Sequence, residues 1–170
     1  QEYYGIRVDI KRYEHQYQNC NYITEKLLEL FRTITREDGN INSAAVLINL
    51  IYNKMHCPTI AWKNTGQPST STAPIEKLAS EPAATPRNFT NDIVDLDGKV
   101  IVEARKLAQA KYPALVVLSV YKKYIKLKTA FYARFERTMK TGRVFFWINQ
   151  NGAASGRQSS PMHQLPPSLK

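Results

Sequence analysis

A run of large apolar residues at helical spacing constrains the fold of this chain most strongly. The run consists of Ile23, Leu27, Leu30, Phe31 and Ile34. Residues three and four positions apart share one face of a helix, so this pattern predicts a long amphipathic helix from about Lys11 to Thr35. The apolar face of such a helix must be buried against other parts of the chain, which form a hydrophobic core with it.

Three further helices are predicted along the chain. The first runs from Ala44 to Met55, with the apolar face Val46, Leu47, Leu50 and Ile51. The second is a short helix capped by Ser69, Thr70 or Ser71, with Pro74 in its first turn, and the third runs from Tyr112-Pro113 to about Arg134. Each begins at residues that favour helix starts, and proline is tolerated in a first turn. Arg36 to Gly39 ends the first helix, with the glycine available for a left-handed stop.

The β content is predicted to be small. Residues Arg143 to Gln150 alternate with β-favouring side chains and predict one strand. Ser80 to Asn91 is rich in proline and small residues, which predicts a loop. Ile93 to Lys111 is predicted to be helical at its end, with Val102, Ala104, Leu107 and Ala108 in the helix. The expected fold class is therefore mainly α (α+β).

The charge of the chain is strongly basic and unevenly distributed. Its 24 Lys and Arg against 14 Asp and Glu give a net charge of +10. Residues 121–143 contain eight basic residues and one acidic residue, a net +7. Lys122 and Lys126 lie four residues apart, on one helical face. Such a one-sided face favours an anionic partner, nucleic acid first and a membrane surface second.

Helix starts offer a second way to bind anions. Unpaired backbone N–H groups and the positive end of the helix dipole favour phosphate there. Asn42-Ser43 and Ser69-Thr70-Ser71 are two such starts. Self-satisfied caps would also explain them.

The cysteines and histidines indicate neither a disulfide framework nor a zinc site. Cys20 and Cys57 have no framework spacing, and no histidine combines with them at a metal-ligand spacing. A reducing compartment is expected.

Five segments follow one another in a fixed order along the chain. They are Gly5-Ile6-Arg7-Val8-Asp9, Asn40-Ile41-Asn42-Ser43, Gly66-Gln67-Pro68-Ser69-Thr70-Ser71, Tyr121 to Thr129, and Thr141-Gly142-Arg143-Val144 followed by Ser155-Gly156-Arg157-Gln158-Ser159-Ser160. In this order they resemble the family A (polymerase I-like) DNA polymerases of the phage type, which implies the cytoplasm of a bacterium or of a phage-infected host as the location. The resemblance implies that residues 1–135 form a thumb of long antiparallel helices, with 80–111 as an insertion. Residues 136–170 would begin the palm with a small β element.

The resemblance also implies the DNA-binding residues. Lys122 and Lys126 match thumb positions that contact the primer–template backbone, and Arg157 matches an arginine that reaches the minor groove. Gln164 matches a glutamine near the template. The helix-start residues that match phosphate contacts are Asn42, Ser43, Ser69, Thr70 and Ser71.

The family's chemistry needs residues that this chain is not expected to contain. Two palm aspartates hold two Mg²⁺ ions in the family, and the first follows the point where this chain stops at Lys170. We therefore expect no cofactor and no polymerase activity in this fragment. Its expected partners are primer–template DNA, the fingers and palm of the polymerase, and an accessory protein at 80–111.

Two other interpretations of the sequence remain open. One is a stand-alone basic DNA-binding module. The other is a helical protein-interaction domain whose basic face meets an acidic partner. The salt dependence of duplex binding separates the last of these from the DNA-binding interpretations.

Overall fold

Helices dominate the computed structural model, which describes residues 6–61, 66–133, 136, 139–140 and 142–144. The predicted mainly helical class with a small β component is confirmed. The helices are α1 (Ile10–Thr35), α2 (Ala44–Ile48), α3 (Thr72–Ala79), α4 (Ala104–Gln109) and α5 (Pro113–Lys126). Two π-helical segments, Asn49–Lys54 and Leu127–Tyr132, continue α2 and α5. The strands are β1 (Ile6–Arg7), β2 (Ile93–Val94), β3 (Val100–Val102), β4 (Met139–Lys140) and β5 (Arg143–Val144).

Helix α1 lies within one residue of its predicted bounds. Asp9 caps its start, because the Asp9 carboxylate accepts a hydrogen bond from the Arg12 amide at 3.1 Å. Its end differs from the prediction. Arg36, not Gly39, adopts the left-handed conformation after the helix, with φ 57°. Gly39 has a different role, since a Cβ atom there would lie 3.0 Å from the Val46 side chain.

The second helix has the predicted extent but a narrower buried face. Leu47, Leu50 and Ile51 are buried, whereas Val46 is exposed. The three buried residues follow a spacing of three and four, which places them on one stripe. Val46 lies one residue before the stripe and therefore on its shoulder.

A hairpin precedes the helix that was predicted at the end of residues 93–111, and it includes Val102, the first residue of that prediction. β2 and β3 pair antiparallel, with Ile93 opposite Val102 and Val94 opposite Val100. Only α4 matches the predicted helical end, and the assignment of Val102 to that helix was wrong. Short runs of β-branched residues on both sides of a turn favour strands over a helix.

The turn of this hairpin is built by one carboxylate. Asp95 Oδ1 accepts hydrogen bonds from the amides of Asp97 (3.0 Å) and Lys99 (2.8 Å). Gly98 adopts φ 79°, which glycine reaches without strain. These local interactions fix the chain reversal between the strands.

The chain divides into two compact units, and the first comprises residues Asn21–Ile125. Its hydrophobic core includes Ile23, Leu27 and Phe31 of α1 and the consecutive segment Leu115–Leu118 of α5, all almost fully buried. Four consecutive buried residues show that α5 is enclosed on several sides at this level. The predicted apolar stripe of α1 therefore forms part of this core.

The second unit combines residues up to Cys20 with those from Lys126 onward. Here β5 pairs antiparallel with both β1 and β4, so the sheet order is β1-β5-β4. The predicted strand begins at Arg143 as expected, and its residues 145–150 lie outside the described part. The Tyr13 hydroxyl donates to the Tyr132 carbonyl oxygen at 2.8 Å, and Cys20 interacts with the Lys128 backbone. The contact of Tyr13 is with Tyr132, and that of Cys20, further along α1, is with the earlier residue Lys128. The two segments therefore run antiparallel.

Candidate nucleic-acid interface

Three consecutive residues of α5 make contacts with α2 and α3: two reach the segments that start these helices, and the third reaches the middle of α3. The side-chain nitrogen Nδ2 of Asn42 donates to the Tyr121 hydroxyl at 3.5 Å. The Lys122 ammonium donates to the backbone carbonyl oxygen of Thr70. Lys123 forms an ion pair of 2.9 Å with Glu76 of α3. One turn of α5 is therefore joined to both helix starts that the sequence singled out.

The start of α2 is organised by Asn40. Its side-chain oxygen accepts a hydrogen bond from the Asn42 amide, and its backbone carbonyl accepts one from the Ser43 amide, both at 3.0 Å. Ser43 occupies the N-cap position in an extended conformation, but its hydroxyl makes no capping hydrogen bond. The Ser43 hydroxyl therefore does not accept the hydrogen bond that an N-cap side chain usually accepts from one of the first N–H groups of a helix.

The start of α3 is anchored through Ser69. Ser69 is buried, its amide donates to the Ile60 carbonyl at 2.8 Å, and its carbonyl accepts from the Tyr52 hydroxyl at 2.5 Å. Its hydroxyl lies 3.0 Å from the Ser71 hydroxyl. Ser71 is the N-cap of α3, yet its side chain also makes no capping hydrogen bond. The Ser69 hydroxyl therefore interacts with Ser71 within this turn. The Ser71 hydroxyl does not cap the first N–H groups of α3.

The lysines of α5 differ in their surroundings. Lys122 is half-buried, and this burial lowers the pKa of its ammonium group. Lys123 is exposed but paired with Glu76. Lys126, the last residue of α5, is exposed. The same basic run therefore contains one lysine turned toward the protein, one in a surface ion pair and one directed to solvent.

Six of the nine predicted DNA-binding residues lie at these two helix starts and on the α5 turn that contacts them. They are Asn42, Ser43, Ser69, Thr70, Ser71 and Lys122. Lys126 lies one turn beyond Lys122 on the same helix. Arg157 and Gln164 lie outside the described residues. The predicted set is thus partly assembled around residues 121–123.

Two residues of this arrangement were not singled out from the sequence. Tyr121 is almost fully buried and presents its hydroxyl to Asn42, and Glu76 holds Lys123. Tyr121 lies directly before the two lysines, but nothing in the local sequence indicates that its hydroxyl reaches Asn42, 79 residues earlier. Nothing in the local sequence signals the second, because the two partners are 47 positions apart.

The described part of the chain contains no group of three or more His, Cys, Asp or Glu side chains placed to hold a metal ion. Nor does any helix among the described residues have the length and apolar character needed to cross a membrane. Compared with protein-family models and with curated proteins, the chain matches none.

Proposed function

We propose that this chain grips the backbone of primer–template DNA as the thumb, with the beginning of the palm, of a family A DNA polymerase. The observation that carries the proposal is the contact of Tyr121 with the start of α2 and of Lys122 with the start of α3. The five ordered segments of family resemblance supply the identity of the partner. The basic run from 121 to 143 supplies the charge that such a partner requires.

The grip works through backbone phosphates and is independent of sequence. Amide groups at the starts of α2 and α3 act as donors, since neither Ser43 nor Ser71 caps them through its side chain. Lys126 adds an exposed charge on α5. Phosphate contacts of this kind set affinity and register but carry no base information. A thumb that must hold any primer–template needs this property.

The nucleotidyl transfer itself belongs to other parts of the polymerase. In the family, two Mg²⁺ ions bound by palm aspartates activate the primer 3′-hydroxyl and stabilise the departing pyrophosphate. The residues of this chain bind and orient the duplex and carry no step of that chemistry. The purified chain is accordingly expected to give no magnesium-dependent primer extension, and detectable extension would contradict this assignment of roles.

The phosphate role is tested by Lys126→Ala. Loss of one phosphate contact should weaken duplex binding and reduce the slope of log K against log salt by about 0.9. The loss should be equal for duplexes of unrelated sequence, because the backbone is the same. Fluorescence anisotropy with labelled duplexes over a salt series measures both quantities.

Lys99→Ala is the matched control for this experiment. Lys99 is an exposed lysine in the β2–β3 turn, outside the proposed DNA-binding set. Its removal takes away the same charge and should leave the slope unchanged. A sequence-selective loss in Lys126→Ala, or an equal effect in both variants, would count against a backbone contact by Lys126.

A further inference from the structure

We infer that Lys122 is a positioning residue, which holds the segment Ser69–Ser71 in place for the start of α3 and does not itself bind a phosphate. The inference rests on the proposed function, because the α3 start matters to DNA only if DNA is the partner. It also revises the role that the family resemblance implied for this lysine. Its basis is the contact that Lys122 makes within the protein.

The contact joins positions that are far apart in sequence. The Lys122 ammonium donates to the carbonyl oxygen of Thr70, 52 residues earlier. Thr70 immediately precedes Ser71, the N-cap of α3. A charged donor makes a stronger hydrogen bond than a neutral one, and partial burial strengthens it further. The direction of the chain entering α3 is thus tied to α5 through this lysine.

The other hydrogen bonds of the segment Ser69–Ser71 involve Ser69 and not the Thr70 carbonyl. The Ser69 amide donates to Ile60 and the Ser69 carbonyl accepts from Tyr52. The Ser71 amide donates to the Ser69 hydroxyl at 3.3 Å, which is a long hydrogen bond. Without Lys122 the Thr70 carbonyl would lose its charged partner. The peptide unit between Thr70 and Ser71 would then keep only the long hydrogen bond from the Ser71 amide to the Ser69 hydroxyl among those that the described residues make.

Lys126 and Lys122 differ in how readily their ammonium groups could bind a phosphate. Lys126 is exposed and can meet a phosphate without breaking any hydrogen bond that the described residues make. Lys122 would have to leave the Thr70 carbonyl and its half-buried place. On α5, Tyr121 and Lys122 therefore contact the helix starts within the protein, whereas the charge of Lys126 faces solvent.

Amide hydrogen exchange of the DNA-free chain tests the positioning contact directly. In Lys122→Met, the amides of Ser69 and Ser71 should exchange about tenfold faster, since a charge-assisted hydrogen bond is lost. Lys123→Met is the matched control, and exchange at both amides should stay as in the wild type because its exposed ion pair contributes little. Unchanged exchange in Lys122→Met would overturn the inference.

The salt dependence of duplex binding separates positioning from phosphate binding. Lys122→Met should weaken binding about tenfold with an unchanged slope of log K against log salt. Lys126→Met should reduce that slope by about 0.9. A slope reduction of about 0.9 in Lys122→Met would make Lys122 a phosphate ligand and overturn the inference. If the wild type binds no duplex, the proposed function fails, while the exchange result still decides whether the contact exists.

Lysine acetylation of the wild-type chain needs no variant and covers the case in which Lys122→Met does not fold. Duplex DNA should protect Lys126 from the reagent and leave the slow modification of Lys122 unchanged, as read by mass spectrometry. Strong protection of Lys122 by DNA, with rapid modification in its absence, would overturn the inference.

Discussion

Individual residues of the core contribute to stability according to how completely they are buried. Leu27 has no exposed surface and packs in the core cluster of the unit Asn21–Ile125. Leu96, in the β2–β3 turn, is 48% exposed. The same side chain therefore occurs in two opposite environments, which makes the pair suitable for comparison.

Leu27→Ala should lower the free energy of unfolding by about 2–5 kcal/mol, because it removes buried methyl groups and leaves a cavity. Leu96→Ala should change it by less than about 0.5 kcal/mol. Urea denaturation followed by circular dichroism measures both values. Similar losses in the two variants would show that Leu27 does not occupy the core.

The Cys57 thiol gives the chain a specific alkaline sensitivity. Burial raises the pKa of this thiol from 9.0 to about 11, although a hydrogen bond with Tyr112 acts in the opposite direction. The folded state therefore keeps the proton when the unfolded state has lost it. Between pH 9 and 11 the stability contribution falls as pH rises, by at most about 1.4 kcal/mol per pH unit, and below pH 9 it is fully present.

Cys57→Ala should show a shallower decline of stability over this alkaline range than the wild type. Unfolding by urea at a series of pH values gives the comparison. Parallel declines in the two proteins would assign the alkaline loss to other groups, among them Tyr13, whose pKa burial raises to about 12.

At the scale of elements, the sequence predicted what local periodicity controls. The apolar residues Ile23, Leu27 and Phe31 define the buried stripe of α1 without reference to any other segment. The hairpin β2–β3 was missed because its strands are two and three residues long. The Asp95 carboxylate that organises its turn acts through hydrogen bonds that composition does not reveal.

The start of α2 allows stability and DNA binding to be separated. The Ser43 hydroxyl makes no capping hydrogen bond, so Ser43→Ala should change the free energy of unfolding by less than about 0.5 kcal/mol. On the proposed function it should nevertheless weaken duplex binding by about threefold to tenfold. Thermal unfolding and anisotropy on the same preparations test this. A stability loss of about 1 kcal/mol with unchanged binding would make Ser43 an ordinary cap.

At the scale of the whole molecule, the candidate site was only partly predictable. The sequence identified the two helix starts and the basic run, because residue type and spacing define them. It could not reveal that Lys122 is directed to Thr70, or that Tyr121 meets Asn42, since these contacts span 52 and 79 residues. Contacts between distant segments depend on the packing of α5, which spacing alone does not determine.

The net positive charge of the molecule supports the proposed function only if phosphate groups are its partner. Of the chain's net charge of +10, the stretch 121–143 carries +7. A DNA-binding protein converts such charge into release of counterions, whereas a protein-interaction domain meets a much less dense charge on its partner.

The salt dependence of duplex binding by the wild-type chain tests this account most directly. Anisotropy of a labelled primer–template between about 50 and 200 mM salt gives the slope of log K against log salt. We predict a slope steeper than about −3, which corresponds to at least three or four phosphate contacts. Weak binding with a slope near zero would contradict a DNA-gripping thumb and would favour an acidic protein as the partner of the basic face.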